Sequence, residues 1–484
     1  MTHPRERSPE PPSERSPEPP SERPRGHRPH AVSAVRGPLL RFRDDPFRTG
    51  PEEALAYESD GLLICEDGRI TAVGDHTSLR GRLPAGTEPV HYPDHLISAG
   101  FVDTHTHYVQ SGMVATFASE MSDWLGHHTF AEERRFGDTP YARRVAASFC
   151  EELLRNGTTT ALTFAAVFPG SADALFEEAS ARNLRIAAGK VLMDRNAPDD
   201  LLDTAQRGYE ESKALIERWH GKGRNLYAVT PRFAPSSTPE QLEAAGALWR
   251  EHPGTLLHTH VSEQADEIPW VRSLFPGRRG YLDVYGHYGL LGPGAVLAHG
   301  VHLTPDERDR CARTGTALAH CPSSNLFLGS GLFRLADAKE RTDPLKVGLG
   351  TDIGAGTSFS LLRTMNEAHK VARLTGYPLD GVRAFHLATR GGAQAMGLQD
   401  RIGSLEPGHE ADFVVLDPKA TPLLSRRASR AQGVEDLLFA LALLGDDRAV
   451  RATYVAGRLA HDRYRDGDRD CDRSGNRDTS APAL

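Results

Sequence analysis

The feature that most constrains the fold is a regular alternation of apolar runs with amphipathic segments between residues 96 and 400. The apolar runs have the length of buried strands, whereas segments such as 141–156 and 209–219 have helical spacing. The runs lie at 96–105, 158–164, 185–193, 226–233, 255–263, 295–303, 316–325 and 346–353. Eight strands alternating with helices predict an α/β fold, the (β/α)8 TIM barrel.

The flanks of this region carry strand signals without the helices. Residues 61–74 predict a hairpin that turns at Asp67-Gly68, and residues 411–417 and 452–458 predict further short strands. We expect the segments 33–95 and 401–460 to combine into one small composite β-sandwich. It would lie beside a barrel formed by residues 96–400.

The two ends of the 484-residue chain lack the composition of a folded domain. Residues 1–32 are Pro-rich and charged and contain a repeat, 6–13 and 14–21, while residues 461–484 mix Arg and Asp with Gly and Ser. Segments so poor in apolar residues cannot build a core, so we expect two disordered tails. The remaining length suffices for a large core and an accessory domain.

Charge and composition exclude several classes of function. Lys and Arg number 57 against 65 Asp and Glu, a formal charge of -8, which argues against a general nucleic-acid binder. The sequence has no apolar run as long as a membrane span and no signal-peptide core, and its five scattered cysteines form no CxxC pair. We therefore expect a cytoplasmic protein without a nucleic-acid or membrane partner.

Histidines and acidic residues recur near the carboxyl ends of the predicted strands, where barrel enzymes place their active sites. His105 and His107 end the first run, and residues i and i+2 of a strand point to the same side. The later runs add His258, His260, Glu263, His299 and Asp352. Each could alone be a loop, cap or interior residue, but imidazoles and a carboxylate together suit zinc or iron(II).

In these residues the chain resembles the metal-dependent amidohydrolases and, within that superfamily, the guanine deaminases. The superfamily is marked by His-x-His on strand one, one His on each of strands five and six, and an Asp on strand eight. The resemblance covers about residues 95–460 and includes the stretches 154–160, 231–235 and 321–326. It implies a homodimeric hydrolase with a purine substrate.

The resemblance implies one metal ion per subunit, zinc or iron(II), bound by His105, His107, His260 and Asp352. His260 precedes the acid of a His-x-x-Glu motif by three residues and so matches the family ligand. His258 faces the same side of a regular strand and remains a rival. Members with two metals carry a bridging Lys on strand four, and the run 226–233 contains none, which favours a single ion.

The implied reaction is hydrolysis of guanine to xanthine and ammonia by a zinc-activated water. Asp352 would also accept a proton from that water. Glu263 would protonate a purine ring nitrogen and then pass a proton to the departing amine. His299 would orient the water or stabilise its charge.

The resemblance further implies that Gln110, Arg232 and Phe233 hold the purine. Gln offers a donor and an acceptor, Arg can donate to a carbonyl such as guanine O6, and Phe can pack on a ring face. From the residues alone, Gln110 could equally be a solvated loop residue, Arg232 a salt-bridge partner and Phe233 a core residue. Trp124 is a further candidate for the wall of the site.

Two other interpretations stay open. A related deaminase or chlorohydrolase would use the same metal site on another amino- or chloro-substituted heterocycle, with different surroundings for Gln110 and Arg232. A scaffold could keep the barrel without catalysis, but the intact ligand set and Glu263 argue against it. Gly354-Ala355-Gly356 matches neither glycine-rich nucleotide fingerprint.

Overall fold

The computed structural model describes residues 32–117 and 124–465 of the chain. Most of the two predicted tails, 1–32 and 461–484, lies outside the described residues. The last strand of the described part, Arg458–Asp462, extends just beyond the expected domain end at 460. The first strand begins at Val32.

A sheet of eight parallel strands, nearly closed on itself, confirms the predicted barrel. Its strands are Phe101–His107, Thr158–Phe164, Arg185–Gly189, Leu226–Pro231, Leu256–Val261, Ala295–His299, Ala317–His320 and Val347–Leu349, with a short extra strand at Val191–Leu192. Consecutive strands pair in parallel. The first and last strands meet where the Thr104 hydroxyl donates a 2.9 Å hydrogen bond to the Leu349 carbonyl oxygen.

Helices connect successive strands and cover the outside of the barrel. They span Thr139–Arg155, Pro169–Ala181, Ala205–Trp219, Pro239–Glu251, Glu267–Leu274, Tyr281–His287, Pro305–Thr314, Pro322–Phe327, Leu335–Lys339, Leu361–Leu374, Gly381–Leu387 and Arg390–Ala395. Sequence signals set several boundaries; Pro305–Thr314, for example, starts with a Thr304–Glu307 capping box and ends at left-handed Gly315. No described helix is long and apolar enough to cross a membrane.

The prediction of one continuous strand over 96–105 is wrong, because Gly100 divides it in two. Leu96–Ala99 pairs with the small sheet, whereas Phe101–His107 opens the barrel. A Cβ at Gly100 would lie 2.3 Å from Thr159 Oγ1, so only glycine permits this close passage between the two sheets.

The strands of both flanks join in one eight-stranded mixed sheet. They are Val32–Phe42, Leu55–Glu66, Arg69–Asp75, Val90–His91, Leu96–Ala99, Phe413–Leu416, Val450–Val455 and Arg458–Asp462. The predicted hairpin is confirmed, with positive φ at Asp67 and Gly68, as a tight turn of this kind requires. Residues 401–460 also contain two helices that were not predicted, Pro422–Ala428 and Val434–Leu444.

The apolar core has two layers, and neither covers the carboxyl end of the barrel, where the polar residues lie. Small apolar side chains such as Ala187, Ala228 and Ala319 fill the interior together with Met396 and Ile402. A second, larger layer lies between the strands and the surrounding helices. The polar residues predicted for the site are all found at the carboxyl ends of the strands.

Candidate active site

Three imidazoles and one carboxylate converge at the carboxyl end of the barrel. Asp352 Oδ1 lies 3.1 Å from His105 Nε2 and 3.2 Å from His107 Nε2. The Nε2 atoms of His107 and His260 are 3.3 Å apart. Alternation along the first strand turns both of its histidines inward, and residues from the fifth strand and from the turn after the eighth complete the group.

The spacing of these atoms fits a bound metal ion. Nitrogen ligands about 2.0 Å from a tetrahedral zinc lie about 3.3 Å from one another, close to the separations observed here. Potential ligand atoms of His105, His260 and His299 also lie within 4.8 Å of one another. These residues could therefore hold a divalent ion.

The protonation states suit such an ion. Burial lowers the pKa of His105 to about 4 and the pKa of His260 well below its usual value, so both imidazoles are neutral near pH 7. Burial alone would raise the pKa of Asp352, but the neighbouring histidines, His105 foremost, hold it well below its usual value. Neutral imidazoles and an ionised carboxylate are the forms that bind metals.

His258, the rival to His260, lies behind the group rather than within it. Its Nε2 atom is 2.7 Å from His105 Nδ1, the ring nitrogen opposite the one that faces Asp352. His260 instead anchors its Nδ1 on the Arg232 carbonyl oxygen at 2.7 Å and points Nε2 into the group. The geometry therefore favours His260 as a metal ligand. His258 instead holds the His105 ring in place through a hydrogen bond to its outer nitrogen.

Two residues of the site adopt left-handed backbone conformations. His299 has a φ of 71° and Asp352 a φ of 50°, values that non-glycine residues seldom adopt. Buried Asp103 stabilises the conformation at Asp352 by accepting hydrogen bonds from the amide of the preceding residue, Thr351, at 3.0 Å and from the Thr351 hydroxyl at 2.5 Å. Such strain persists where the surrounding structure holds it, most often at functional sites.

Glu263 faces the group from the end of the fifth strand. Its Oε2 atom is 3.5 Å from His299 Nε2, and Oε1 accepts a 3.3 Å hydrogen bond from the Ser330 hydroxyl. Burial raises the pKa of Glu263 above its usual value, against the opposing effect of His299. A carboxyl group with a raised pKa can carry a proton closer to neutral pH. Asn325 Oδ1, 2.9 Å from His299 Nδ1, fixes that ring.

A small cavity opens beside this group. Its lining includes His107, Gln110, Trp124, Leu125, Arg232, Phe233, His260, Glu263, Glu267, His299, Leu328, Asp352 and Ala355. All three residues predicted to hold a purine, as well as the candidate wall residue Trp124, therefore border one space with the acid and the histidines. Phe233 is half-buried and makes an edge contact with Trp270, with ring centroids 6.1 Å apart.

The salt bridge considered for Arg232 is present, and it involves a residue that the sequence did not single out. Glu133 accepts hydrogen bonds from Arg232 Nη1 at 2.8 Å and from Gln110 Nε2 at 3.0 Å. Sequence reasoning also missed Glu267, which accepts the Glu263 amide hydrogen bond at 3.1 Å. The spacing of four residues after Glu263 was the one available signal for Glu267; nothing in the sequence marks Glu133.

A parallel barrel with this His and Asp group at its carboxyl end defines a hydrolase of the metal-dependent class. The profile of the amidohydrolase family matches residues 96–460, so the chain belongs to that family. Within it the chain is similar to guanine deaminases over most of its length.

Three comparisons illustrate this similarity. The guanine deaminase of Escherichia coli (strain K12) is 52% identical over 439 residues, which cover 90% of this chain and 99% of that protein. A solved structure of E. coli guanine deaminase has a TM-score of 0.87 at 51% identity and covers 89% of this chain and 100% of that one. The C. acetobutylicum guanine deaminase, solved with guanine bound in the active site, has a TM-score of 0.79 at 26% identity, with 89% and 100% covered.

Proposed function

We propose that the chain hydrolyses guanine to xanthine and ammonia. The observation that carries this proposal is the placement of a metal-ligand group, the buried acid Glu263 and the polar side chains of Gln110 and Arg232 around one cavity. The similarity to guanine deaminases over nearly the whole barrel and sheet supports the choice of base.

The residues proposed to hold one zinc ion are His105, His107, His260 and Asp352, with iron(II) as the alternative. Such an ion, when bound, supplies Lewis-acid activation that lowers the pKa of a water to about 7. His299, whose Nε2 is 3.8 Å from Asp352 Oδ2, would face that water. Metal analysis of the purified protein distinguishes zinc from iron.

Three side chains are proposed to move or hold protons. Asp352 accepts the proton of the attacking water through the oxygen that faces His299. Glu263 protonates a ring nitrogen of the base, takes up the proton of the hydroxyl group added to the ring and delivers it to the departing amine, a role that its raised pKa favours. The proton held by Asp352 then restores Glu263. His299 orients the water through Nε2, because its Nδ1 is engaged with Asn325.

The base is proposed to lie between Phe233 and the metal group. Arg232 donates to the carbonyl oxygen, and Gln110 contacts the ring edge beside it. Trp124, with 3% of its surface exposed, closes the wall of the cavity. Phe233 packs on a ring face.

A substrate panel tests the proposal. The purified, zinc-loaded protein is incubated with guanine, adenine, cytosine and an amino- or chloro-substituted triazine, and ammonia or chloride release is measured. We expect turnover of guanine to exceed that of every other compound. A preference for another heterocycle would instead support the related hydrolase, and release from none would support the scaffold.

We further propose a homodimer active in cytoplasmic purine catabolism. The same proposal divides the chain into a barrel and a composite unit with tails at both ends, and it moves the predicted bounds at 96 and 460 so that the strands Leu96–Ala99 and Arg458–Asp462 belong to the composite unit. Light scattering coupled to size exclusion determines the mass in solution, and a monomer at micromolar concentration would contradict the dimer.

A further inference from the structure

One buried carboxylate joins the two polar side chains proposed to read the base. Glu133 lies on the short helix Phe130–Arg134 and has 1% of its surface exposed. Its Oε1 accepts from Gln110 Nε2 and from Arg232 Nη1, both at 3.0 Å, and its Oε2 accepts from Arg232 Nη1 at 2.8 Å. We propose that Glu133 is a positioning residue that fixes the hydrogen-bond polarity with which the cavity recognises its base.

The first part of the argument concerns the side-chain amide of Gln110. A carboxylate can only accept, so the amide must turn its nitrogen towards Glu133 and its oxygen elsewhere. Gln110 Oε1 lies beside Gly354, where an added Cβ would stand 2.2 Å from it. The oxygen therefore stays an acceptor and lies against the Gly354 turn, next to Ala355, which lines the same cavity as Gln110.

A second neighbour competes for the same amide. Gln110 Nε2 also lies 3.3 Å from His107 Nδ1, and an imidazole that binds a metal through Nε2 carries its hydrogen on Nδ1. That hydrogen would favour the flipped amide, with the oxygen towards His107. The flip would set two oxygens, those of Gln110 and Glu133, about 3.0 Å apart, and the charged acceptor prevents it.

The second part concerns the guanidinium of Arg232. One of its terminal nitrogens is engaged by both oxygens of Glu133, and its carbon lies 5.5 Å from the centre of the Phe130 ring on the same short helix. The guanidinium is thus held on one side, while its remaining N–H groups are available as donors at the cavity.

An acceptor beside a donor recognises a lactam, the pairing of a ring N–H with its neighbouring carbonyl. Guanine presents this pairing at N1 and O6. A base with an amino group in place of the carbonyl presents the reverse, a bare ring nitrogen beside an N–H donor. This inference rests on the proposed function. Glu133 makes the site select bases with a lactam over bases with an amino group in its place, and it does so without touching the base itself.

A purely stabilising role explains the arrangement less well. Burying an ion pair costs desolvation that the pair itself often fails to recover, so a buried pair is weak evidence of stabilisation. The Glu133 carboxylate has a more specific effect: it fixes which atoms of Gln110 and Arg232 accept and donate hydrogen bonds at the cavity.

The test compares the wild-type protein with Glu133→Gln on guanine and on 2,6-diaminopurine, which keeps the 2-amino group but replaces the lactam. We expect kcat/KM for guanine to fall at least about tenfold, mainly through KM, and the preference for guanine over 2,6-diaminopurine to narrow by a similar factor. Bound metal should be unchanged. Equal losses on both bases would show a merely structural role and overturn the inference.

The swap Gln110→Glu with Glu133→Gln provides a second variant in case the single one does not fold. It places the carboxylate at the cavity and the amide behind it, so the acceptor again faces the base, and we expect it to restore part of the guanine preference. A swap no more selective than a Gln110→Ala protein would overturn the inference.

Glu132→Gln is the matched control, since Glu132 lies on the same helix but its carboxylate accepts from Arg135 at 2.8 Å and from the Tyr141 hydroxyl instead of from Gln110 or Arg232. Its base preference should equal that of the wild type. Failure of the wild type itself to release ammonia from guanine would refute the proposed function, whereas an unchanged preference in Glu133→Gln refutes only the role of Glu133.

Discussion

At the residue scale, the site depends on what each side chain's surroundings do to its protons. Asp352 stays ionised because histidines surround it, whereas Glu263, buried in the same cavity, has a raised pKa. Two carboxyl groups in one cavity can therefore take different roles, one as a ligand and proton acceptor and the other as a proton donor. His299, between them, approaches both.

The proposed proton-donor role of Glu263 predicts a loss of activity in Glu263→Gln. The amide keeps the shape of the side chain but cannot shuttle a proton, so turnover of guanine should fall about 10²–10⁴-fold. Bound metal, measured by elemental analysis, should remain at the wild-type level because Glu263 is outside the proposed ligand group. Full activity in this variant would show that another group donates the proton.

His258 provides a separate prediction about metal affinity. Because it holds the outer nitrogen of His105, His258→Ala should weaken metal binding roughly 10–100-fold. His258→Gln, which can still accept that hydrogen bond, should bind more tightly than the alanine variant. Competition with a coloured chelator measures the metal affinity of the wild type and of both variants. Equal affinities in the three proteins would contradict the role of His258 in supporting His105.

At the element scale, the sequence predicted the barrel well because strand and helix periodicities are local. The strand 158–164 was predicted with its observed bounds, and the hairpin turn at Asp67-Gly68 is confirmed. The break at Gly100 could not be read from its apolar neighbours, since it depends on the approach of Thr159 from another strand. Glu133 was missed for the same reason, because its partners come from distant elements.

The barrel and the small sheet are joined by buried ion pairs around Glu410. It accepts hydrogen bonds from Arg185 Nε at 3.0 Å and from Arg224 Nε at 2.9 Å. Burial alone would raise the pKa of Glu410, but these arginines outweigh that effect and lower it. The ionised carboxylate therefore stabilises the fold above its unfolded pKa, and this contribution is lost as the pH falls through the lower, folded pKa.

Glu410→Gln should accordingly lower the free energy of unfolding at neutral pH by roughly 3–5 kcal/mol, because the buried Arg185 guanidinium loses its anion and Arg224 keeps only Asp412. Denaturant unfolding should also show less acid dependence in the variant than in the wild type. Glu367→Gln, which removes only an exposed pair with Lys370, should change stability by less than about 1 kcal/mol. Equal losses of unfolding free energy in the two variants would contradict the role of Glu410 in joining the barrel to the small sheet.

At the scale of the whole molecule, both ends of the described chain contribute to one sheet, and the barrel between them carries the site. The barrel interior is filled at one end by apolar side chains, and the polar residues gather at the other. Family membership, fold and site geometry thus agree on a metal-dependent hydrolase. The role of the metal is the claim on which the proposed reaction depends most.

The measurement that tests it most directly is xanthine formation from guanine before and after chelation of the purified protein. We predict close to one divalent ion per chain, loss of at least about 99% of turnover when the ion is removed, and recovery when zinc is restored. Undiminished xanthine formation by the metal-free protein, or none by the protein with a full complement of zinc, would contradict the account.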